Sequence, residues 1–269
     1  MTRFARRPLA VLGLALALVL VGASILAPAL AGRSPSATDA AHVLRPPSRD
    51  HWLGTDSLGR DVWARLLHGG RVSLLVGVAA VLIQAAIGTA LGALSGYCGG
   101  PVDMAVQRLV DVMLAFPALM FLLVLVSVLG PGMVSLFIAV GLLNWAGMCR
   151  LVRGQVLQVR EQDYILAARA VGCTGLRIVL RHILPNVAGI ILVTMVTSLG
   201  GALMLEAGLS YLGLGVQPPA PSWGNMLSVS LLNLGQRPWL WLPSGVCLVA
   251  AALAFNFVGE GLREVMGGR

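Results

Sequence analysis

The sequence contains no lysine, so all 19 of its basic side chains are arginines. Without lysine the chain has neither the lysine of a phosphate-binding loop nor an amine that forms a Schiff base with a carbonyl substrate. The GxxxxGK[ST] glycine loop is absent as well. We therefore expect no nucleotide hydrolysis in this chain, and if it works against a gradient its energy comes from elsewhere.

Charged residues of both signs are scarce. They make up 11% of the 269 residues, whereas 57% are hydrophobic, and soluble domains contain about 25% charged residues. The mean hydropathy is +0.86. This composition predicts an integral membrane protein. The net charge of +8 does not indicate nucleic acid as a partner, because the arginines are scattered between apolar runs, a distribution that fits lipid headgroups and membrane topology better.

Residues that commonly bind metals are few and dispersed. The four cysteines form no CxxC motif and the four histidines share no ligand spacing, so we assign no metal and no cofactor to this chain. Asp56, Arg60 and Asp61 superficially suggest a calcium loop, but the D-x-[DN]-x-[DN]-G spacing is absent. Helix capping and local ion pairs are the favoured interpretation. Val62 and Leu66 then suggest an amphipathic helix at the outer interface before the second span.

Long uncharged runs define the architecture, since a spanning helix needs about 20 mostly apolar residues. The residues between these runs form an external loop at 32–71 and a cytoplasmic loop at 150–184. No soluble domain remains, so we predict an all-α membrane protein with a single transmembrane domain over residues 1–269. The predicted spans cover about residues 9–31, 72–96, 105–129, 133–149, 185–211 and 239–259.

The N-terminal run allows two interpretations. It has a basic start, an apolar stretch and an A-x-A ending at Ala31, as a secretory signal does. Its apolar stretch exceeds about 20 residues, whereas signal peptides use about 7–15. This length favours an uncleaved first helix, and N-terminal sequencing of the mature protein distinguishes the two.

Arginine placement predicts the orientation. With the N-terminus in the cytoplasm, twelve of the 19 arginines lie in cytoplasmic segments. Six of these fall between Arg150 and Arg181, which assigns that segment to the inside by the positive-inside rule. Both termini are then cytoplasmic.

The pattern of the polar segment before the fifth span predicts two short helices. Asp163 is a candidate N-cap of the first, Gly172 is expected to end it with positive φ, and Thr174 is a candidate cap of the second. Pro185 is expected to start the fifth span, where its missing N–H is harmless. One interpretation is an ordinary interfacial helical loop. In the second helix the predicted apolar face is Leu176, Val179, Leu180 and Ile183, with Arg177 and Arg181 on another face.

The spacing in this segment resembles the "EAA" loop of membrane subunits of ATP-binding-cassette importers. That pattern is Glu-Ala-Ala, three residues, Gly, nine residues and Ile-x-Leu-Pro. Ala167, Ala168, Gly172, Leu184 and Pro185 match it. The sequence departs from it in two places, with Leu166 at the glutamate position and His182 at the isoleucine position.

Three further stretches resemble the dipeptide, oligopeptide and nickel permeases of that family. They are "HWLGTDSLGRDVWARLLHGGRVSLLVG" at 51–77, "GYCGGPVDMAVQRLVDVMLAFP" at 96–117 and "EAGLSYLGLGVQPPAPSWGNML" at 206–227. Together with the EAA-type loop they cover nearly the whole chain in the right order. The resemblance implies a permease fold with a cytoplasmic coupling loop, in a bacterial inner membrane.

The resemblance also implies partners: a second permease subunit, two cytoplasmic ATPases that bind the coupling loops, and an external binding protein that selects the solute. On this interpretation Asp163, Arg177 and Arg181 belong to the coupling loop together with the matched motif residues. The solute is then a peptide or a related small solute such as a nickel complex. Two alternatives are a secondary transporter and a membrane scaffold without ATPase partners. The sequence shows neither the intramembrane acid relay nor the internal repeat expected of the former.

Glu206 lies near the outer end of the fifth span, where an acid is costly unless it is paired or faces water. A structural partner and a place in the substrate path both explain it. We hypothesise that it faces the cavity between subunits near the outer gate.

Overall fold

The computed structural model describes residues 7–229 and 235–267, and most of these residues form helices. Irregular segments connect the helices, and the longest of them, at 31–61, contains a 3-10 turn at Ala40–His42. The α-helices are α1 Pro8–Ile25, α2 Ala27–Leu30, α3 Val62–Cys98, α4 Gly100–Ala115, α5 Ala118–Leu129, α6 Met133–Arg160, α7 Asp163–Ala170, α8 Gly175–Ile178, α9 Leu184–Tyr211, α10 Trp223–Val229 and α11 Pro238–Gly267, with a π-turn at Val179–Ile183.

Five helical segments of the described chain are long and apolar enough to cross a membrane. They are α1, α3, α6, α11 and the continuous run of α8, the π-turn and α9. A sixth span results if the bent pair α4 and α5 is counted as one. The all-α fold with several membrane spans, as predicted from the sequence, is confirmed.

The third span, predicted at about 105–129, is not one continuous helix in the structure. The structure has two helices instead, α4 and α5, bent by 94° at a short break. Pro117 causes the break, because a proline disfavours helical geometry in the residue before it. Phe116 accordingly adopts extended backbone angles, with φ −74° and ψ 136°.

The second and fourth spans are longer than the sequence indicated. Asp61 caps α3, which runs for 37 residues without a break and is therefore about 56 Å long. Val62 and Leu66 lie in its first turns and are buried, so the separate interfacial helix predicted there does not exist. α6 continues to Arg160, and this shortens the predicted loop at 150–184.

Glycines on one face of α3 allow close packing against α6. A Cβ atom on Gly88 would lie 2.6 Å from the Cβ of Met148, and one on Gly92 would lie 2.6 Å from the carbonyl oxygen of Cys149. Gly96 is similarly close to α6. The three glycines repeat at intervals of four residues, the spacing that brings helix backbones together in membranes. This contact places the end of α3 beside the segment that follows α6.

Candidate functional site

The segment that follows α6 forms a compact hairpin. We call α7, its turn, α8 and the π-turn "the 163–183 hairpin". Gln162, with φ −75° and ψ 144°, is the N-cap of α7. Asp163 is therefore the first helical residue and not the cap, which corrects the sequence-based assignment. Thr174 occupies the N-cap position of α8 but its side chain makes no capping hydrogen bond.

Gly172 ends α7 in the way the sequence predicted. Its φ is +84°, in the left-handed region that favours glycine. Its N–H donates to the carbonyl of Arg169 at 2.9 Å, and the N–H of Cys173 donates to the carbonyl of Ala168 at 3.1 Å. This pair of bonds is the Schellman arrangement. No atom lies within 4 Å of a Cβ added at Gly172, so backbone angles and not space require the glycine.

The predicted apolar face of the second helix is only partly correct. Ile178 and Ile183 are fully buried, whereas Leu176 is 71% exposed and Leu180 is 57% exposed. The two buried residues are five positions apart because the π-turn widens the helix after α8. Pro185 explains the widening, since a proline inside a helix lacks the N–H and its ring crowds the carbonyl four residues earlier. Pro185 is the second residue of α9, one position from the predicted start, and the π-turn runs into α9 without a break.

The outward surface of the hairpin combines apolar and basic groups. Ala167 is exposed, whereas Ala168 is half-buried and packs towards the core under the hairpin. Within the described residues neither Arg177 nor Arg181 forms an ion pair, and both are exposed. Val171 at the tip is 85% exposed. The surface can therefore contact another protein without first losing an internal salt bridge.

Two kinds of contact hold the hairpin on the membrane helices. Ile165, Ile178 and Ile183 pack against α6 residues in one buried cluster. Asn186 at the start of α9 donates to the hydroxyl of Tyr164 at 2.9 Å. These contacts join α7 to α6 and to α9. Sequence reasoning missed them, since no local pattern marks pairs that meet only in the fold.

An apolar groove lies between α3 and the hairpin. Its volume is about 760 Å³, and small side chains such as Ala86 and Ala90 line one wall. The exposed Leu176 and Leu180, together with Leu184, line the other. Leu184 therefore belongs to a groove wall as well as to the junction with α9.

Glu206 lies at the opposite end of α9 and is fully buried. Its carboxyl group accepts hydrogen bonds from the hydroxyls of Ser73, at 3.0 Å, and Ser210, at 2.8 Å. The hypothesis that Glu206 faces a cavity between subunits is not supported by this burial. The structural alternative fits, although serines rather than a backbone N–H or an arginine are the partners.

The same network holds the chain between α9 and α11, which we call the 212–229 loop. The backbone N–H of Trp223 donates to the Ser73 hydroxyl at 3.1 Å, and its indole N–H donates to the carbonyl of Leu66 at 3.0 Å. A Cβ on Gly70 would lie 2.8 Å from the Trp223 ring. The loop is thus fastened to α3 and, through Ser73, to Glu206.

The acidic residues before α3 act as the sequence predicted. Asp61 accepts the N–H of Ala64 at 2.8 Å and lies 2.7 Å from His51 Nδ1. Asp56 accepts from Arg60 at 2.7 Å. Helix capping and ion pairing are confirmed here.

Comparisons with known proteins agree along the whole chain. The family model described as "Binding-protein-dependent transport system inner membrane component" matches residues 88–269. A second model, the N-terminal TM domain of oligopeptide transport permease C, matches residues 1–47.

Three relatives illustrate the similarity. Oligopeptide transport system permease protein OppC of Bacillus subtilis is 41% identical over 268 residues, which are 99% of this chain and 87% of the relative. A putative peptide permease protein of Brucella suis is 42% identical over 269 residues, 99% of this chain and 89% of the relative. Dipeptide transport system permease protein DppC of Alkalihalophilus pseudofirmus is 39% identical over 261 residues, 97% of this chain and 86% of the relative.

A permease of this kind is a non-catalytic membrane subunit that works with a separate ATPase and a binding protein. The family model covers more than half of the chain, and the relatives match nearly all of it. The chain therefore belongs to the family of binding-protein-dependent transport system inner membrane components and is a permease subunit.

Proposed function

We propose that this subunit forms half of the translocation pathway of an ATP-driven importer for peptides or a related small solute, and that an ATPase docks on the 163–183 hairpin. The observation that carries the docking proposal is the hairpin itself. It presents an exposed surface of apolar and basic side chains, and it continues through the π-turn into α9 without a break. Asp163, Ala167, Ala168, Gly172, Arg177, Arg181, Leu184 and Pro185 are its proposed coupling residues. No cofactor is proposed for this chain.

The geometry suggests how a push on the hairpin reaches the membrane. α8 and α9 belong to one helical run from Gly175 to Tyr211. A displacement of α8 therefore moves or bends α9 at the π-turn, where the helical hydrogen bonding is interrupted. The Schellman turn at Gly172 fixes the angle between α7 and α8, so the two helices move as one body.

The proposed complete importer contains two permease subunits, two ATPases and an external binding protein. The groove between α3 and the hairpin supports the second permease, because its wall of small side chains permits close approach of another helix. We propose that both termini are cytoplasmic. In support, Arg7 and Glu264 pair at 2.8 Å, so the start of α1 and the end of α11 lie at the same end of the bundle.

Peptides are the proposed solute, because the relatives are named as oligopeptide, dipeptide and putative peptide permeases. A nickel complex remains the second candidate through the resemblance of residues 51–77, 96–117 and 206–227 to the wider branch. Measuring which ligand binds the partner binding protein decides between them.

Replacing Gly172 with valine tests the docking proposal. A β-branched residue at φ +84° strains the turn by roughly 1–2 kcal/mol, which misplaces α7. We expect the Gly172→Val permease to reach the membrane in normal amounts. The purified complex should then either lack the ATPase subunits or retain them and hydrolyse ATP without solute uptake.

The chain provides a matched control in Gly213. It has φ +79°, no atom lies within 4 Å of an added Cβ, and the same pair of bonds caps α9 there. Gly213→Val therefore introduces the same strain at the opposite end of α9 and should keep the ATPase subunits bound. Normal uptake by Gly172→Val, or loss of ATPases from both variants, would reject the hairpin as the docking site.

Removal of nucleotide tests the ATP-driven importer against the alternatives of a secondary transporter and a membrane scaffold. For the importer, we expect uptake in proteoliposomes that contain the complete complex to stop when internal nucleotide is removed. Uptake that continues without nucleotide would support a secondary transporter.

A further inference from the structure

Tyr97, in the last turn of α3, contacts both helices of the 163–183 hairpin. The guanidinium carbon of Arg169 in α7 lies 5.1 Å from the centroid of the Tyr97 ring, within cation–π range. On the other side, a Cβ added at Gly175 in α8 would lie 2.9 Å from Tyr97 Cε1. The ring therefore packs directly on the backbone of α8 while its face contacts α7.

The end of α3 is a firm support for this ring. Arg160, the last residue of α6, donates to the carbonyl of Gly96 at 2.8 Å. A Cβ on Gly96 would lie 2.9 Å from the Cβ of Val156, so α3 and α6 are in backbone contact one residue before Tyr97. The hairpin itself joins α9 at the π-turn, where the helix departs from regular α-helical hydrogen bonding.

We propose that Tyr97 is a positioning residue that fixes the hairpin to α3. Movement of the hairpin then reaches two membrane helices: α9 through the chain and α3 through the Tyr97 ring. This inference rests on the proposed docking of the ATPase on the hairpin. Without the ring, the hairpin keeps its buried isoleucines and the Asn186–Tyr164 hydrogen bond but loses its contact with the end of α3, and part of each ATPase movement is lost.

Two substitutions at Tyr97 separate the ring from the hydroxyl. The measurement is the amount of solute taken up per ATP hydrolysed, in proteoliposomes that contain the complete complex. Tyr97→Ala removes the contacts with Arg169 and Gly175. Loss of a cation–π contact lowers the equilibrium constant for seating the hairpin on α3 about fivefold, and we expect the ratio to fall with it. Tyr97→Phe keeps the ring and should retain the wild-type ratio.

Arg169 provides a second variant that carries little risk of misfolding, because its side chain is exposed. Arg169→Gln should lower the same ratio and Arg169→Lys should restore most of it, since lysine keeps the cation. Tyr97→Ala combined with Arg169→Gln should be no worse than the stronger single change, because both remove one contact. Additive losses would contradict the proposal, and so would a wild-type ratio in Tyr97→Ala or a defect in Tyr97→Phe equal to that of Tyr97→Ala.

A photo-crosslinking residue at the exposed Val171 distinguishes failure of this inference from failure of the docking proposal. If the photo-crosslinking residue at position 171, in an otherwise wild-type complex, forms no crosslink to the ATPase, the proposal that the ATPase docks on the hairpin is wrong. If the crosslink forms and Tyr97→Ala still couples normally, docking stands and only the role of Tyr97 is rejected.

Discussion

Replacing Glu206 with leucine tests whether this buried acid is a structural anchor. Leucine has a similar volume, so it leaves no large cavity, but it cannot accept the hydrogen bonds from Ser73 and Ser210. Ser210 lies four residues later on the same helix, and its hydroxyl can turn to a carbonyl of α9 instead. Ser73 is more constrained, because its oxygen also accepts the N–H of Trp223.

The expected free-energy cost of Glu206→Leu comes mainly from Ser73, because Ser210 can find another acceptor and Ser73 cannot. A buried polar group left without its partner costs about 1–3 kcal/mol, and we assign about 2 kcal/mol to Ser73. The cost should appear locally, as easier opening of the 212–229 loop. Since 1.4 kcal/mol is a factor of ten, the open population rises about 30-fold.

Thermolysin digestion of the detergent-solubilised complex measures this opening, because cleavage follows the population of the open loop when opening is fast. Glu206→Leu should be cut in the 212–229 loop about 30-fold faster than wild type, and Glu206→Gln, which keeps one acceptor oxygen, by a smaller factor. Glu260→Leu is the matched control, since Glu260 is exposed and its contact with Arg263 is 3.9 Å. Cleavage of Glu206→Leu at the wild-type rate, with uptake abolished, would refute the structural role and restore the gate hypothesis.

Three further predictions concern the bundle and the hairpin. Gly92→Val should prevent α3 from packing on α6 and lower the membrane abundance of the protein on immunoblots, because an added Cβ lies 2.6 Å from a carbonyl oxygen of α6. Gly154→Val should leave the abundance unchanged, because the space around Gly154 is open. Pro185→Ala should let the π-turn become regular α-helix, which would appear as slower hydrogen exchange of amides 180–185 together with reduced uptake per ATP hydrolysed. Trp223→Phe removes the indole hydrogen bond to Leu66 at a cost of about 1 kcal/mol, and should speed thermolysin cleavage of the 212–229 loop about fivefold.

Membrane insertion and helix content could be predicted from the sequence, because both depend on composition and on the length of apolar runs. The turn at Gly172 was also accessible, since glycine after a run of good helix formers is a local signal with one common structural outcome. The capping by Asp61 is of the same kind. In each of these cases the residues that decide the structure lie within a few positions of one another.

The contacts that define the candidate site could not be predicted from neighbouring residues in this way. Tyr97 meets Arg169 from 72 positions away, and Ser73 meets Glu206 from 133 positions away. No periodicity marks such pairs. The apolar face of α8 differs from the predicted one for another reason. Regular helical spacing predicts that face, whereas the π-turn before Pro185 shifts the register and buries Ile178 and Ile183.

Taken together, the contacts at the two ends of α3 suggest that this helix links both parts of the proposed mechanism. Ser73, the twelfth residue of α3, holds the 212–229 loop, and Tyr97, in its last turn, holds the hairpin. The 24 residues between them span about 36 Å of α-helix, more than the thickness of the hydrocarbon core. Val76 and Ala80 pack with Leu136 of α6, and Gly88, Gly92 and Gly96 bring the later part of α3 against the same helix. This contact limits bending of α3, and we propose that α3 transmits displacement along its axis. We therefore expect Tyr97→Ala to slow a nucleotide-dependent change in thermolysin cleavage of the 212–229 loop, whereas Tyr97→Phe should leave that change intact. A change of equal size in both variants would mean that the two ends of α3 act independently.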